Sequence, residues 1–440
     1  MKLKKMAMCM SILAISGIFL YGCTKNEQHV KIYDTTDLHS HFTKQLEEQI
    51  SKIDRKNSLL LDAGDIVDGQ TPDDEQWYDG KKSLGYISDS NAHVVEQVSG
   101  AKEGLPPVSK KMVEYKYDAA TLGNHEFYLP PDDLKNLIDG YNKAGVPMLS
   151  ANTFFNKEYI GSDRDQRVSP PYIIKKIHNK DKDIKIGIIG VTTNTINEEE
   201  AFKDGKEKFS DDVLLQNNPQ YKGKYYMTDM VDESIKVAKE LKKKENPDMI
   251  ILIMHSGEKP RIPRHSGNRV QEMAKKVPYV DLIIAGHTHE FIDQHDYKGP
   301  DGKKVIVTQA GAHSKGIGEV TADFYLKDNK WKLDSLKANN IKFKPDKNDT
   351  EDDSFDASTP EKLKEIGFGE VTPEEYRKMA KDNKNISLDF TVLSNKKIVF
   401  PQNPKVTLTH EYYSERENDY IYYFNTRDYD EVVKYKKLYE

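Results

Sequence analysis

The feature that most constrains this chain is a set of short apolar runs with no polar face. Ile250-Ile251-Leu252-Ile253 is the plainest case. A strand of this kind has to be covered on both faces, so it belongs inside a sheet flanked by other layers. Strand-like segments recur at Lys31–Thr35, Ser58–Asp62, Lys185–Val191, Met249–Met254, Leu282–Ala285, Val305–Thr308 and Gly318–Leu326. Amphipathic helical patterns lie between them. Val231, Ile235, Ala238 and Leu241 share one face, as do Val270, Met273, Ala274 and Val277, and Pro131-Asp132-Asp133 opens a helix over 131–141. The alternation predicts an α/β protein with two sheets or one large one.

Five metal-capable segments sit at or just past the ends of these strands. They are Asp37-Leu38-His39, Asp62-Ala63-Gly64-Asp65, Gly123-Asn124-His125-Glu126, His255-Ser256, and Gly286-His287-Thr288-His289. In open α/β sheets, ligands bind at the carboxyl ends of strands. In an extended segment residues i and i+2 point the same way, so Asp37 with His39, and His287 with His289, are expected to converge as pairs. Gly64, Gly123 and Gly286 permit tight turns and close backbone approach beside them. One such segment is weak evidence, but five in order, each following a strand, point to a metal site. The only cysteines are Cys9 and Cys23, so oxygen and imidazole must supply the donors.

The order D-x-H, G-D, G-N-H-E, H, G-H-x-H resembles the calcineurin-like metallophosphoesterase superfamily. The segments Thr35–Ser40, Leu60–Asp65 and Tyr117–Phe127, with 255–257, 277–289 and 309–318, look most like its secreted 5′-nucleotidase and 2′,3′-cyclic-nucleotide phosphodiesterase branch. The resemblance covers about residues 30–326. It implies a four-layer α/β/β/α sandwich and a dinuclear site. One metal would be held by Asp37, His39 and His289 and the other by Asn124, His255 and His287, with Asp65 bridging. Carboxylate, amide and imidazole donors suit borderline divalent ions such as Mn²⁺, Zn²⁺ or Fe²⁺. Two ions ~3.5–4 Å apart clamp the attacking and leaving oxygens of an in-line displacement and acidify a water. The resemblance assigns His125 to the transition-state phosphoryl oxygens or to protonation of the leaving group.

The sequence departs from that pattern in three places. Tyr128 stands where many 5′-nucleotidases have an Asp that pairs with the histidine. Residues 70–107, with Trp77, Tyr78 and Tyr86, read as an insertion that is either a wall of the site or a peripheral loop. The usual base-stacking C-terminal domain is not matched by 365–440, a short α+β extension with strand-like runs at 388–393, 397–400 and 405–409 and many tyrosines. Arg261, Arg264 and Arg269 follow His255 and read either as phosphate contacts or, more simply, as solvated charge. His41, His265 and His313 neighbour the motifs, but every usual ligand position is already filled without them.

The N-terminus reads as a signal peptide over residues 1–22. Lys2, Lys4 and Lys5 precede the apolar stretch Met6 to Tyr21, and Leu20, Gly22 and Cys23 resemble a bacterial lipobox. Lipidation at Cys23 would leave 23–30 as a tether, 31–343 as the metallophosphoesterase domain, 344–364 as an acidic linker and 365–440 as the extension. A lipid anchor would make the membrane a partner and place the enzyme outside the cytoplasm. The chain has 440 residues, 37% hydrophobic, with a net charge of −6, which supports a packed core and gives no basis for a stable nucleic-acid complex. The expected activity is hydrolysis of a nucleotide or cyclic nucleotide. A broad phosphomonoesterase or phosphodiesterase without base selectivity, and a non-catalytic surface-binding lipoprotein, remain as alternatives.

Overall fold

A computed structural model describes residues 26–67, 81–87, 92–97, 104–196, 214–258, 267–344, 373–382, 386–393, 405–414 and 419–439. Two six-stranded sheets form its centre. The first runs Lys330–Lys342, Gly316–Lys327, Glu27–Thr35, Ser58–Asp62, Ala119–Thr121, Met148–Leu149. The second runs Phe291–Lys298, Lys304–Ala310, Leu282–Ile284, Met249–His255, Ile184–Thr192, Tyr172–Ile177. Four strands of each sheet are parallel, from Glu27–Thr35 to Met148–Leu149 and from Lys304–Ala310 to Ile184–Thr192. The remaining strands pair antiparallel.

Side-chain alternation explains the layering. Leu59 and Leu61 meet Ile251, Ile253, Ile186 and Ile188 in a core between the sheets, whereas Leu60 points the other way, into a core with Leu46, Met112, Leu134 and Ile138. On the second sheet Ile250, Leu252 and Met254 face Val237, Ala238, Leu241, Met273 and Ala274. Helices Lys44–Ile50, Pro107–Glu114 and Pro131–Ala144 therefore cover one outer face, and Met230–Lys244 and Val270–Lys276 the other. Three cores between four layers give the α/β/β/α sandwich. The unbroken apolar runs are those whose two faces feed two different cores. The helix at Pro131 starts where expected and continues to Ala144, closed by Gly145 at φ 90°.

The sheet packing carries the site with it. Met249, Ile251 and Ile253 look toward the first sheet, and His255 continues that row at the end of the strand. Its ring thereby reaches across to the loop after Ser58–Asp62. The loops that end the parallel strands of both sheets meet along this one edge.

A further sheet joins segments far apart in the chain. Its strands run Val406–Ser414, Asp419–Thr426, Ile386–Leu393, Ala92–Gln97, Lys81–Ile87. Ile386 to Asp389 pair antiparallel with Glu96 to His93, so the hairpin of the insertion and the C-terminal strands form one hydrogen-bonded unit. Residues 70–80, 397–400 and 1–25 lie outside the described residues, as does 345–372, which includes most of the segment read as a linker. The end of the 70–107 segment packs on the core, where Leu105 lies against a cluster that includes Val108 and Met112 of helix Pro107–Glu114.

Candidate metal centre

The centre is built from loops whose backbones turn sharply. Asp37, His39, Asp65, His287 and His289 all have positive φ, at 50°, 44°, 55°, 79° and 57°. The expectation that extended spacing makes each i, i+2 pair converge is therefore corrected. Left-handed backbone turns, sparsely populated by residues other than glycine, aim these side chains. The loops are pinned by main-chain bonds: Asp37 N–H donates to Gly64 O at 2.9 Å and His39 N–H to Asp65 O at 2.9 Å. His287 N–H is 3.0 Å from each Asp37 carboxylate oxygen.

All seven expected ligands come to one cluster. Asp65 Oδ2 is 3.0 Å from His255 Nε2, 3.8 Å from His39 Nε2 and 3.8 Å from His125 Nε2. Asn124 Oδ1 is 3.2 Å from His255 Nε2. On the other side, His39 Nε2 and His289 Nε2 are 3.0 Å apart, and Asp37 Oδ1 lies 3.6 Å from His289 Nε2. The groups His39–Asp65–His125 and Asp65–His255–His287 each bring ligand atoms within 4.8 Å of one another. Asp65 belongs to both, the placement a bridging carboxylate needs.

The donor chemistry fits divalent cations. His255 Nδ1 donates to the Ala63 carbonyl at 2.8 Å, which fixes the tautomer and turns Nε2 toward the oxygens of Asp65 and Asn124. Lone pairs thus converge in a buried place that requires positive charge. The electrostatics of the cluster make the same demand. Burial alone would lower His255, but the Asp65 and Asp37 carboxylates raise it to about 10. Against its own burial, Asp65 is held well below the usual carboxylate range by His255, His125 and His39. His289 is shifted the opposite way, well below the ordinary histidine value, by desolvation within the cluster and by the neighbouring imidazoles of His39 and His313, although the outer part of its side chain is open to solvent.

Two glycines are required by close approach. A Cβ on Gly123 would lie 2.0 Å from Asp65 Oδ1, and one on Gly64, at φ 95°, would lie 2.7 Å from Gly123 N. His125 opens the short 3₁₀ turn His125–Tyr128, its N–H donating to Asp65 Oδ1 at 2.9 Å. Its ring stands edge-on to His39 at 4.5 Å and 4.6 Å from the Tyr128 ring. The Tyr128 ring thus takes the place beside His125 where many relatives have an Asp, while the Asp65 carboxylate lies 3.8 Å from Nε2.

Three residues of the site were given no role from sequence. Buried Glu126 accepts from Gly123 N at 2.6 Å, Ile66 N at 2.7 Å, Asp65 N at 3.2 Å and Val67 N at 3.2 Å, clamping two ligand loops together. Its place in the G-N-H-E motif was the available signal. His41 donates from Nδ1 to the His39 carbonyl at 2.8 Å. His313 lies against His39, His289 and His41, with ring centroids 5.1, 5.2 and 5.0 Å away. Arg269 joins a helix-end network, with Nη1 2.5 Å from Asp229 and Nε 2.9 Å from Glu272. Arg261, Arg264 and His265 lie outside the described residues.

The chain is 25% identical over 337 residues to the trifunctional nucleotide phosphoesterase YfkN of Bacillus subtilis, covering 69% of this chain and 20% of that protein. It is 35% identical over 189 residues to a 5′-nucleotidase of Vibrio cholerae, covering 42% and 28%. With a 2′,3′-cyclic-nucleotide 2′-phosphodiesterase/3′-nucleotidase of Salmonella typhimurium it shares 27% identity over 341 residues, covering 70% and 45%. The chain thus spans from a fifth to under half the length of these relatives. The crystal structure of the calcineurin-like phosphoesterase YfkN has the same fold, with a TM-score of 0.52 and 22% identity over 72% of this chain and 91% of that one. The calcineurin-like phosphoesterase model matches residues 30–291, and the chain belongs to that family of metal-dependent phosphoric ester hydrolases.

Proposed function

We propose that the chain hydrolyses a phosphate ester of a nucleotide or cyclic nucleotide at a site for two divalent cations. Asp37, His39 and His289 would hold one cation and Asn124, His255 and His287 the other, with Asp65 shared. The observation that carries this reading is the position of Asp65 Oδ2 among His255, His39 and His125, at 3.0, 3.8 and 3.8 Å. When bound, such cations supply Lewis-acid polarisation of the phosphoryl group and acidify the attacking water.

The chain's own residues do the rest. Ala63 orients His255 through Nδ1, leaving Nε2 as donor. Glu126 keeps the Asp65 and Gly123 loops of the first sheet in register. His125 is partly open to solvent, unlike buried His39 and His255, and can reach a substrate oxygen with a ring nitrogen. It would stabilise the phosphoryl oxygens or hand a proton to the leaving group.

The names of the relatives support a nucleotide substrate. We further propose an extracytoplasmic enzyme anchored through lipidated Cys23. Among the described residues no helix is long and apolar enough to cross a membrane. A substrate panel tests the reading. Metal-loaded protein should hydrolyse AMP or 2′,3′-cyclic AMP in preference to a sugar phosphate, and equal turnover of all three would leave a phosphoesterase without base selectivity.

A further inference from the structure

We propose that His313 supplies a third imidazole to the cation position formed by Asp37, His39 and His289. This inference rests on the two-cation reading and adds a ligand to it. Ligand atoms of His39, His289 and His313 all lie within 4.8 Å of one another. The three rings form a near-equilateral triangle, with centroid separations of 4.9, 5.1 and 5.2 Å. Asp37 and Asp65 face the same triangle through His289 and His39.

Backbone geometry is an independent observation. His313 has φ 53° and Ser314 φ 57°, the same costly left-handed turn used by Asp37, His39, Asp65, His287 and His289. Strain of this kind persists only where the surroundings enforce it, and it clusters at functional sites. Here the enforcement comes from the site itself. His313 N–H donates to the Asp37 carbonyl at 2.8 Å, and Ser314 Oγ donates to the His41 carbonyl at 2.6 Å. The residue is buried at 7% exposure, so the chain spends this turn on placing an imidazole inside the cluster rather than on a surface loop.

The assignment makes the two cation positions chemically unequal. One has three imidazoles and two carboxylates. The other has His255, His287, the Asn124 amide and Asp65. A nitrogen-rich donor set favours zinc and iron over manganese more strongly than an oxygen-rich one. The position beside His313 should therefore be the more zinc-selective.

The test is titration of full-length, metal-free protein with Zn²⁺ and with Mn²⁺, for the wild type, His313→Phe and His313→Gln, with Co²⁺ absorption as a spectroscopic readout. Two cations are expected on the wild type. His313→Phe should weaken one Zn²⁺ site at least about tenfold, the scale seen even for groups that only support a ligand. Mn²⁺ affinity should fall less, the other site should be unchanged, and the Co²⁺ spectrum should shift. If His313→Phe does not fold, His313→Gln carries the test, with a smaller loss of Zn²⁺ affinity expected. Unchanged Zn²⁺ affinities and an unchanged Co²⁺ spectrum in a folded variant would overturn the inference, and a raised KM alongside them would assign His313 to substrate instead. A wild type that binds no cations would overturn the two-cation reading itself.

Discussion

At the scale of single residues, the proposed roles separate holding a cation from moving a proton. Asp65→Asn or His255→Ala should lower metal content and activity together, because Asp65 and His255 face each other at the shared position at 3.0 Å. His125→Ala should keep the metal, measured by elemental analysis, and lose about 10²–10⁴-fold in turnover. Full turnover in that variant would refute the role given to His125. Asp34 makes a different prediction. It is fully buried, neither carboxylate oxygen has a hydrogen-bond partner among the described residues, and burial raises its pKa to about 7 from 3.8. A raised carboxylate pKa means the folded state favours the proton, so this group costs nothing below about pH 4 and progressively more as pH rises to 7. Asp34→Asn should therefore be stabilising at pH 7.5 by up to about 4 kcal/mol and neutral near pH 4, as read by urea unfolding at both. An equal effect at both pH values would contradict the assignment.

At the scale of loops and strands, the clamp made by Glu126 decides whether the ligands meet. Glu126→Gln replaces an acceptor oxygen with a donor facing backbone N–H groups, and should cost about 2–4 kcal/mol and weaken metal binding. Native-like stability and metal content would show that the clamp is dispensable. The seven candidate ligands were legible in the sequence because chemistry restricts their residue types and each follows an apolar strand. Their means of convergence was not. Spacing of two suggests an extended pair, yet Asp37 at φ 50° and His39 at φ 44° are aimed by turns that depend on bonds to Gly64 and Asp65 in another loop. The place of His313 is illegible for the same reason, since the Asp37 and His41 carbonyls that fix its turn are distant in sequence. Of the two readings open for Arg269, the ion pairs with Asp229 and Glu272 favour the simpler one of a charge held at the surface, although spacing cannot show which carboxylates take it.

At the scale of the molecule, the four layers were legible because each apolar run feeds two cores, as Ile250 and Ile251 do. The pairing of Ala92–Gln97 with Ile386–Leu393 was not, because nothing local to either strand specifies a partner so far away. That pairing predicts that removing residues 365–440 strips Ala92–Gln97 of a neighbour and exposes a strand edge. The truncated protein should be cleaved near 81–97 by limited proteolysis and self-associate, while still binding metal. Unaltered cleavage and a monodisperse product would mean that the shared sheet contributes nothing to order. The most direct test of the account as a whole is anomalous diffraction from crystals of the full chain soaked in Mn²⁺. Two peaks about 3.5–4 Å apart are predicted, one beside Asp37, His39 and His289, one beside Asn124, His255 and His287, with Asp65 touching both. A single peak, or none within reach of Asp65, would contradict it.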